Sequence, residues 1–331
     1  MGPVRIGVLG AARVTPRAML DPARQIADAE VVAVAARDRD RAQDFAAEHG
    51  IPKVHRDYEA LLADPEVDAV YNALPNGLHG RWTIAALEAG KHVLCEKPFT
   101  ANAAEAEHVG AAAAAAGTVV MEALHDRFHP LARRMSEVVE DGTLGSVHHL
   151  EARLVAVLPQ RDNLRYRLDL AGGATMDVGC YAIHQVRTLA GAEPTVTSAR
   201  AKLIAPGVDR WMQADFEFAD GRTGRITCGL LAAALPIADI RVRGDAGVLK
   251  VLFPNRPDLF KGLVVRRRNG RTMREKVTGT RSTYAYQLEA FCAAVLEGTP
   301  VLTPPADSIA NMRVIDAVYE AAGLEPREPS S

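Results

Sequence analysis

Val4-Arg5-Ile6-Gly7-Val8-Leu9-Gly10-Ala11-Ala12-Arg13-Val14-Thr15 reads as a buried strand, a tight glycine turn and the opening of a helix. Gly10 permits the sharp turn that lets backbone N–H groups and a helix N-terminus approach a phosphate. Ala12 and Thr15 stand where a dinucleotide fingerprint has its second and third glycines, so the motif is degraded. Alone, a glycine between strand and helix is equally an ordinary turn. The context decides. Strand-like runs at Val31–Ala35, Ala69–Asn72, His92–Cys95 and Val119–Met121 alternate with helical stretches near Val14–Ala27, Asp40–His49, His79–Ala89 and Asn102–Ala116. Short apolar strands separated by helices predict a parallel sheet covered on both faces, a doubly wound Rossmann domain over residues 1–123.

The pattern changes beyond Ala123. A helix starts near Pro130 and ends by Gly142, and strand candidates then follow one another: Val147–Ala156, Thr195–Ile204, Arg210–Phe218, Arg222–Cys228, Ile237–Gly244 and Gly247–Val251. Asp220-Gly221 and Asp245-Ala246-Gly247 are hairpin signals. Helices are read at Ala174–Leu189, Tyr284–Glu297 and Ser308–Ala322. Residues 124–331 are therefore expected to form an α+β domain with an open-faced, mainly antiparallel sheet and helices on one side. Without a Gly/Ser linker, the domains are expected to pack directly around a cleft. The sheet's other face is expected to expose apolar residues, which predicts a homo-oligomer, a dimer or a dimer of dimers.

Composition narrows the function classes. Among 331 residues, 39 Lys and Arg stand against 41 Asp and Glu, a net charge of −2 that favours neither nucleic acid nor an anionic membrane as partner. Cys95, Cys180, Cys228 and Cys292 have no zinc-type or redox spacing and read as reduced thiols of a cytoplasmic protein. The start of the chain lacks the pattern of a signal peptide, and no apolar stretch is long enough to span a bilayer. His148 and His149 are adjacent on a strand and point to opposite faces, and no other cluster has metal-ligand spacing, so no metal is expected.

Two places carry the cofactor reading. After the second strand comes Ala36-Arg37-Asp38-Arg39, with arginine near the tip where an NAD site usually places a carboxylate. A guanidinium can stack on adenine and hold a 2′-phosphate through its planar fork, which points to NADP, with NAD as the lesser alternative and Asp38 as its carboxylate. The second place is Lys91-His92-Val93-Leu94-Cys95-Glu96-Lys97-Pro98, a buried strand ending in a charged pair and a proline. Ligands of open α/β sheets bind beyond the carboxyl ends of the strands, so Lys97 is placed where a nicotinamide would lie.

Glu96-Lys97-Pro98, with Leu74-Pro75-Asn76 and His79 at an earlier strand end, resembles the glucose–fructose oxidoreductase / inositol dehydrogenase / MocA family. The resemblance runs on through Arg127-Phe128-His129-Pro130, Gly172-Gly173 with Asp177, Gly179 and Tyr181, and Asp307-Ser308 with Asn311-Met312. It implies a nicotinamide-dependent oxidoreductase. The tyrosine at position 181, where inositol dehydrogenase-like members place histidine, resembles the branch with dimeric dihydrodiol dehydrogenase and NADP-linked xylose dehydrogenases. The implied substrate is a sugar, sugar derivative, polyol or cyclic diol, oxidised at a secondary alcohol or lactol or reduced at the ketone. The family departs from this chain at the fingerprint glycines.

The resemblance implies Gly10, Ala12, Arg13, Arg37, Leu74, Asn76, His79, Glu96 and Lys97 as cofactor contacts. On the helix Ala174–Leu189, Asp177, Tyr181 and His184 are spaced to share one face. Removing hydride from an alcohol also releases a proton, which needs a positioned base. Free tyrosine titrates near ~10, and a neighbouring ammonium lowers that value. Lys97 and Tyr181 are therefore the expected catalytic pair, Asp177 is expected to orient Lys97 or a substrate hydroxyl, and His184 and Arg165 are candidate substrate contacts, with Arg161 and Asp169 nearby on the same loop. The alternative is a cofactor-binding regulatory or sensor protein of the same fold without turnover, to which the eroded fingerprint would belong.

Overall fold

A computed structural model describes residues 2–160, 162–230, 236–257, 259–260 and 262–331. The chain divides into two compact units, the first holding residues up to His125 together with Tyr284–Ile309, the second Asp126–Thr283 and Ala310–Ser330.

The first unit is built on six parallel strands, β1 (Val4–Leu9), β2 (Ala29–Ala35), β3 (Lys53–Val54), β4 (Ala69–Asn72), β5 (His92–Cys95) and β6 (Val120–Glu122), in the order β3-β2-β1-β4-β5-β6. Ile6, Val8, Val34, Val70, Val93 and Leu94 are buried with neighbours of both pleat directions, as a sheet covered on both sides requires. Helix starts are chemically marked: Asp38, Asp57 and Asn102 each accept backbone N–H bonds as N-caps, and Gly50 and Gly117 end their helices in the left-handed conformation. The helix read over 14–27 is instead a π turn, Pro16–Leu20, followed by a short α segment, Asp21–Ala23. Pro22 supplies no N–H, which accounts for the broken ladder. Strand β3, two residues long, carries too little pattern to be read from sequence.

Residues 284–309 belong to this first unit rather than to a continuous second domain over 124–331. The ties are specific: Arg17 Nη2 donates to Tyr284 OH (3.2 Å), Glu122 N donates to Thr303 O (3.1 Å), and Thr303 Oγ1 donates to Glu122 O (2.7 Å).

The second unit carries eight strands: β7 (Val147–Val155), β8 (Thr195–Ala205), β9 (Val208–Glu217), β10 (Thr223–Gly229), β11 (Ile237–Gly244), β12 (Gly247–Leu252), β13 (Gly262–Arg267) and β14 (Thr272–Lys276). Their order is β14-β13-β12-β11-β7-β10-β9-β8, antiparallel except where β7 meets β10. Both hairpin signals hold, joining β9 to β10 and β11 to β12. The sequence reading missed β13 and β14, whose arginines and lysines dilute the apolar alternation. The inner face presents Leu150, Ala152, Ile240, Val242, Leu249, Val251 and Leu263, all buried.

The outer face is mixed, with exposed Ile237 and Leu252 lying among charged rows. Arg153 grips Asp239 with two bonds (2.6 and 2.7 Å), Arg241 reaches the same carboxylate (3.1 Å), Arg225 pairs with Asp215 (2.5 Å), and Arg243 faces Glu151 (3.8 Å). Between these pairs, Leu252 stands opposite Asp239, Val248 opposite Arg243 and Ile237 opposite Val155, so the outward positions of β11 and β12 carry apolar as well as charged side chains.

Candidate active site

In the first unit the strand order reverses between β1 and β4, and the loops after β1, β2, β4 and β5 gather at that end. Gly10 has φ of +91°, and a Cβ there would press on Leu74 Cδ2 at 3.0 Å. A side chain at position 10 would thus be strained by the backbone and would crowd Leu74, and the loop keeps the close approach a pyrophosphate needs. Ala12 is half-buried and Arg13 exposed. Arg37 is exposed at the tip of β2. Asp38 is engaged as the N-cap of the helix Arg39–His49, its Oδ1 accepting from both Asp40 N and Arg41 N. The structure adds a residue that the sequence reading overlooked: Arg41, whose Nη2 donates to Ala11 O at 2.6 Å. Arg37 and Arg41 both bear on Tyr58, whose phenol is pushed up by burial and held back by the Arg37 backbone amide and the two guanidinium charges.

The loops after β4 and β5 are fastened to one another. His79 is 1% exposed, with Nε2 at 2.8 Å from Leu74 O and Nδ1 at 2.7 Å from Pro98 O. Both ring nitrogens therefore face backbone, which makes His79 a tie between loops rather than a direct cofactor contact. Asn76 opens the turn Asn76–Leu78, and its carbonyl receives the His79 amide. Glu96 is likewise fixed: Tyr71 OH donates to Oε1 at 2.6 Å, and Lys97 N donates to Oε2 at 3.3 Å. Burial, then the Glu96 charge, drives the Tyr71 phenol well above its usual value, so it stays a donor. Lys97 follows, half-buried, at the carboxyl end of β5 and joined to Pro98 by a cis peptide.

In the second unit the Gly172-Gly173 loop leads into a π turn, Thr175–Gly179, which passes into the α-helix Cys180–Ala190. Asp177 lies in the π turn and Tyr181 and His184 in the α-helix, so the single 3.6-residue face drawn over all three applies only to the last two. Asp177 Oδ2 is 3.0 Å from Arg165 Nε, which joins two predicted residues in one ion pair. Tyr181 is 6% and His184 2% exposed. His184 lies within electrostatic reach of Asp126, whose carboxyl is pushed up by burial and accepts from Gln185 Nε2 at 2.7 Å. His184 lines a small cavity with Asp126, Arg127 and Gln185. Asp169 pairs with Arg167 on the surface, and Arg161 lies outside the described residues. Among the described residues no group of three or more His, Cys, Asp or Glu is arranged to hold a metal, and no helix is long and apolar enough to cross a membrane.

Comparison with known proteins agrees with both halves. Residues 4–124 match the oxidoreductase family with an NAD-binding Rossmann fold, and residues 132–250 match the GFO/IDH/MocA C-terminal domain. The chain is similar to a D-xylose 1-dehydrogenase (NADP(+)) of Haloferax volcanii, 38% identical with 96% of each chain covered. It is 32% identical to a trans-1,2-dihydrobenzene-1,2-diol dehydrogenase of Xenopus laevis, over 68% of this chain and 67% of that one. Among solved structures it resembles a 3-ketoreductase from Actinomadura kijaniata in complex with NADP and TDP-benzene, with a TM-score of 0.88, 30% identity, and coverage of 96% of this chain and 98% of that one.

Proposed function

Since this chain belongs to the Gfo/Idh/MocA family of oxidoreductases, we propose that it moves a hydride between NADP and the secondary alcohol, lactol or ketone of a sugar, sugar derivative or cyclic diol. The observation that carries the reading is the placement of Lys97. It stands at the carboxyl end of β5 in a β3-β2-β1-β4-β5-β6 sheet, its amide bonded to a glutamate that Tyr71 immobilises. The residues around Gly10 suit a dinucleotide, for a cradle that a single Cβ would fill leaves the backbone open to a pyrophosphate. NADP, when bound, supplies or accepts the hydride.

This chain's own part is to bind, orient and move the proton. In the proposal Lys97 and Tyr181 meet at the reacting carbon's oxygen. Tyr181 takes the hydroxyl proton on oxidation and returns it on reduction, and the Lys97 ammonium lowers the cost of the phenolate. Asp177, paired with Arg165, keeps a negative charge one turn before Tyr181. The substrates named for the relatives, a pentose, a diol and a nucleotide-linked keto sugar, share a reacting carbon that bears oxygen next to a second carbon bearing a hydroxyl or keto oxygen, and this is the class assigned here. The cytoplasmic placement is supported by four buried cysteines, none of them in a disulfide. The homo-oligomer, dimer or dimer of dimers, stays in the reading, with the open sheet face, where exposed Ile237 and Leu252 lie among charged rows, as its surface.

A panel of aldoses, polyols, cyclic diols and keto sugars, followed by NADPH absorbance in both directions, tests the assignment. Turnover of one class is the expected result. NADPH binding without turnover of any of them would instead identify a sensor.

Arg37→Ala should weaken NADPH by roughly 1.5–3 kcal/mol, the range of a hydrogen bond to a charged group, and leave NADH nearly unaffected. Arg41→Ala should do the same with the additional loss of its bond to Ala11 O. Fluorescence titrations with the two cofactors read the difference, and equal losses for both would show that the guanidinium groups pack on adenine and do not select phosphate.

A further inference from the structure

We propose that Arg327, in the C-terminal tail, is a positioning residue for Tyr181: with Asp209 and Tyr319 it fixes the glycine loop and π turn from which the Tyr181 helix departs. The proposal rests on Tyr181 as the proton-transfer residue.

Arg327 heads the largest fully buried side chains among the described residues, and its partner Asp209 on β9 is 0% exposed. Each atom of the pair is spent on a particular neighbour. Arg327 Nη2 donates to Asp209 Oδ1 (2.9 Å), as does Tyr319 OH (3.0 Å), and the guanidinium lies 4.0 Å from the Tyr319 ring centre. Arg327 Nε donates to Gly172 O (2.7 Å). The other carboxylate oxygen, Oδ2, accepts from both Thr175 N and Thr175 Oγ1 (2.7 Å each). Thr175 opens the π turn, where backbone N–H groups have no helical partner, and a carboxylate at that end also suits the helix dipole.

The turn is held at its far end too. Asn311 Nδ2 donates to Cys180 O (3.2 Å), at the passage from π to α geometry and one residue before Tyr181. Gly173 explains why the loop is glycine: its φ is +137°, and a Cβ there would collide with Asp209 Oδ1, with Arg327 Nη2 at 2.8 Å and with Tyr319 OH at 2.9 Å.

A buried ion pair is a poor device for stability alone, since apolar residues of similar volume often serve as well or better. Here its bonds end on the backbone of one turn, and that turn sets the direction of Asp177 and Tyr181. Burial, then the Asp209 charge, drives the Tyr319 phenol well above its usual value, so it remains a donor to Asp209. A misplacement of about 1 Å in a catalytic group costs on the order of 10²-fold in rate.

The test uses the full chain with a substrate identified by the panel and measures kcat, KM, the pH profile of kcat, NADPH affinity and the thermal midpoint. Arg327→Ala and Tyr319→Phe should lower kcat by about 10- to 100-fold and shift its pH profile, with NADPH affinity unchanged. Guanidinium at low concentration should restore part of the loss in Arg327→Ala. The double variant Tyr181→Phe with Tyr319→Phe should be no slower than Tyr181→Phe alone, because the second residue acts through the first. If Arg327→Ala does not fold, Tyr319→Phe, which removes one hydroxyl, decides on the same readouts.

A lowered thermal midpoint with normal kcat and pH profile would overturn the proposal, as would multiplicative losses in the double variant. Full turnover by Tyr181→Phe would remove the reading of Tyr181 and this proposal with it. Normal kcat in Tyr319→Phe beside an inactive Tyr181→Phe would overturn the network alone.

Discussion

Tyr181→Phe should lower kcat by about 10²–10⁴-fold, the usual worth of general acid–base assistance, and leave folding and NADPH binding intact. The substitution keeps the ring and removes only the ionisable hydroxyl, and the helix Cys180–Ala190 that carries it is also held through its backbone, where Asn311 Nδ2 donates to Cys180 O. In barrier terms the loss is roughly 3–5 kcal/mol. Lys97→Ala should cost at least as much, since it removes the charge that makes the phenolate accessible near neutral pH as well as a donor near the nicotinamide. Its backbone anchor survives, because the bond to Glu96 is made by the main-chain amide. In the double variant the losses should not multiply: once the tyrosine is gone, the lysine has no phenolate to stabilise. Single-turnover and steady-state rates on the verified substrate read all three. Near-normal turnover by Tyr181→Phe would assign the proton to another group. Fully multiplicative losses would show Lys97 and Tyr181 working independently, with Lys97 acting on the cofactor or substrate alone.

The first unit was legible because its strands are uninterrupted apolar runs: Val4–Leu9, Ala69–Asn72 and His92–Cys95 were read with the boundaries the structure has. Reading failed where local chemistry breaks the period. Pro16 and Pro22 turn the first helix into a π turn with a short continuation, and β3 is too short to show any period. In the second unit the alternation was readable as far as β12, and its outward positions mix charge, at Glu151, Arg153, Asp239, Arg241 and Arg243, with apolar side chains at Ile237 and Leu252. The site was legible where motifs follow one another in sequence, as at Glu96-Lys97-Pro98 and Gly172-Gly173. It was not legible where the partner lies far along the chain. Asp209 and Arg327 meet Thr175 and Gly172 across separations that no spacing rule covers, and Arg327 in a proline-flanked tail looks like any solvated arginine. Arg41 was hidden for another reason: it is one turn into a helix whose face reads as plain surface, and only the fold brings it to Ala11.

Acidification should weaken the first unit through His79, and the sign follows from which state holds the proton. The unfolded imidazole titrates near ~6.5. In the folded unit burial pushes it down to about 4, with the Lys97 charge acting in the same direction against the pull of the Pro98 and Leu74 carbonyls. A depressed folded value means that the unfolded chain takes up a proton the native ring refuses. His79 therefore subtracts nothing above about pH 6.5, and its cost accumulates as pH falls toward 4, reaching roughly 3 kcal/mol there. Trp82 lies in the first unit and Trp211 in the second, so a Trp211→Phe background leaves Trp82 to report urea unfolding of the first unit. Between about pH 6.5 and 4, stability in that background should fall more steeply, by nearly one proton, than in the same chain carrying His79→Gln. Carboxylates titrate in both chains and cancel in the comparison. A neutral ring has one N–H for two carbonyls at 2.7 and 2.8 Å, so one of those contacts is made without a proton and the imidazole adds no positive charge beside Lys97. Stability that instead rises on acidification relative to His79→Gln would show the ring protonated at both nitrogens. The tie between the two loops would then be an imidazolium donating to Leu74 O and Pro98 O, and Lys97 would work beside a second cation.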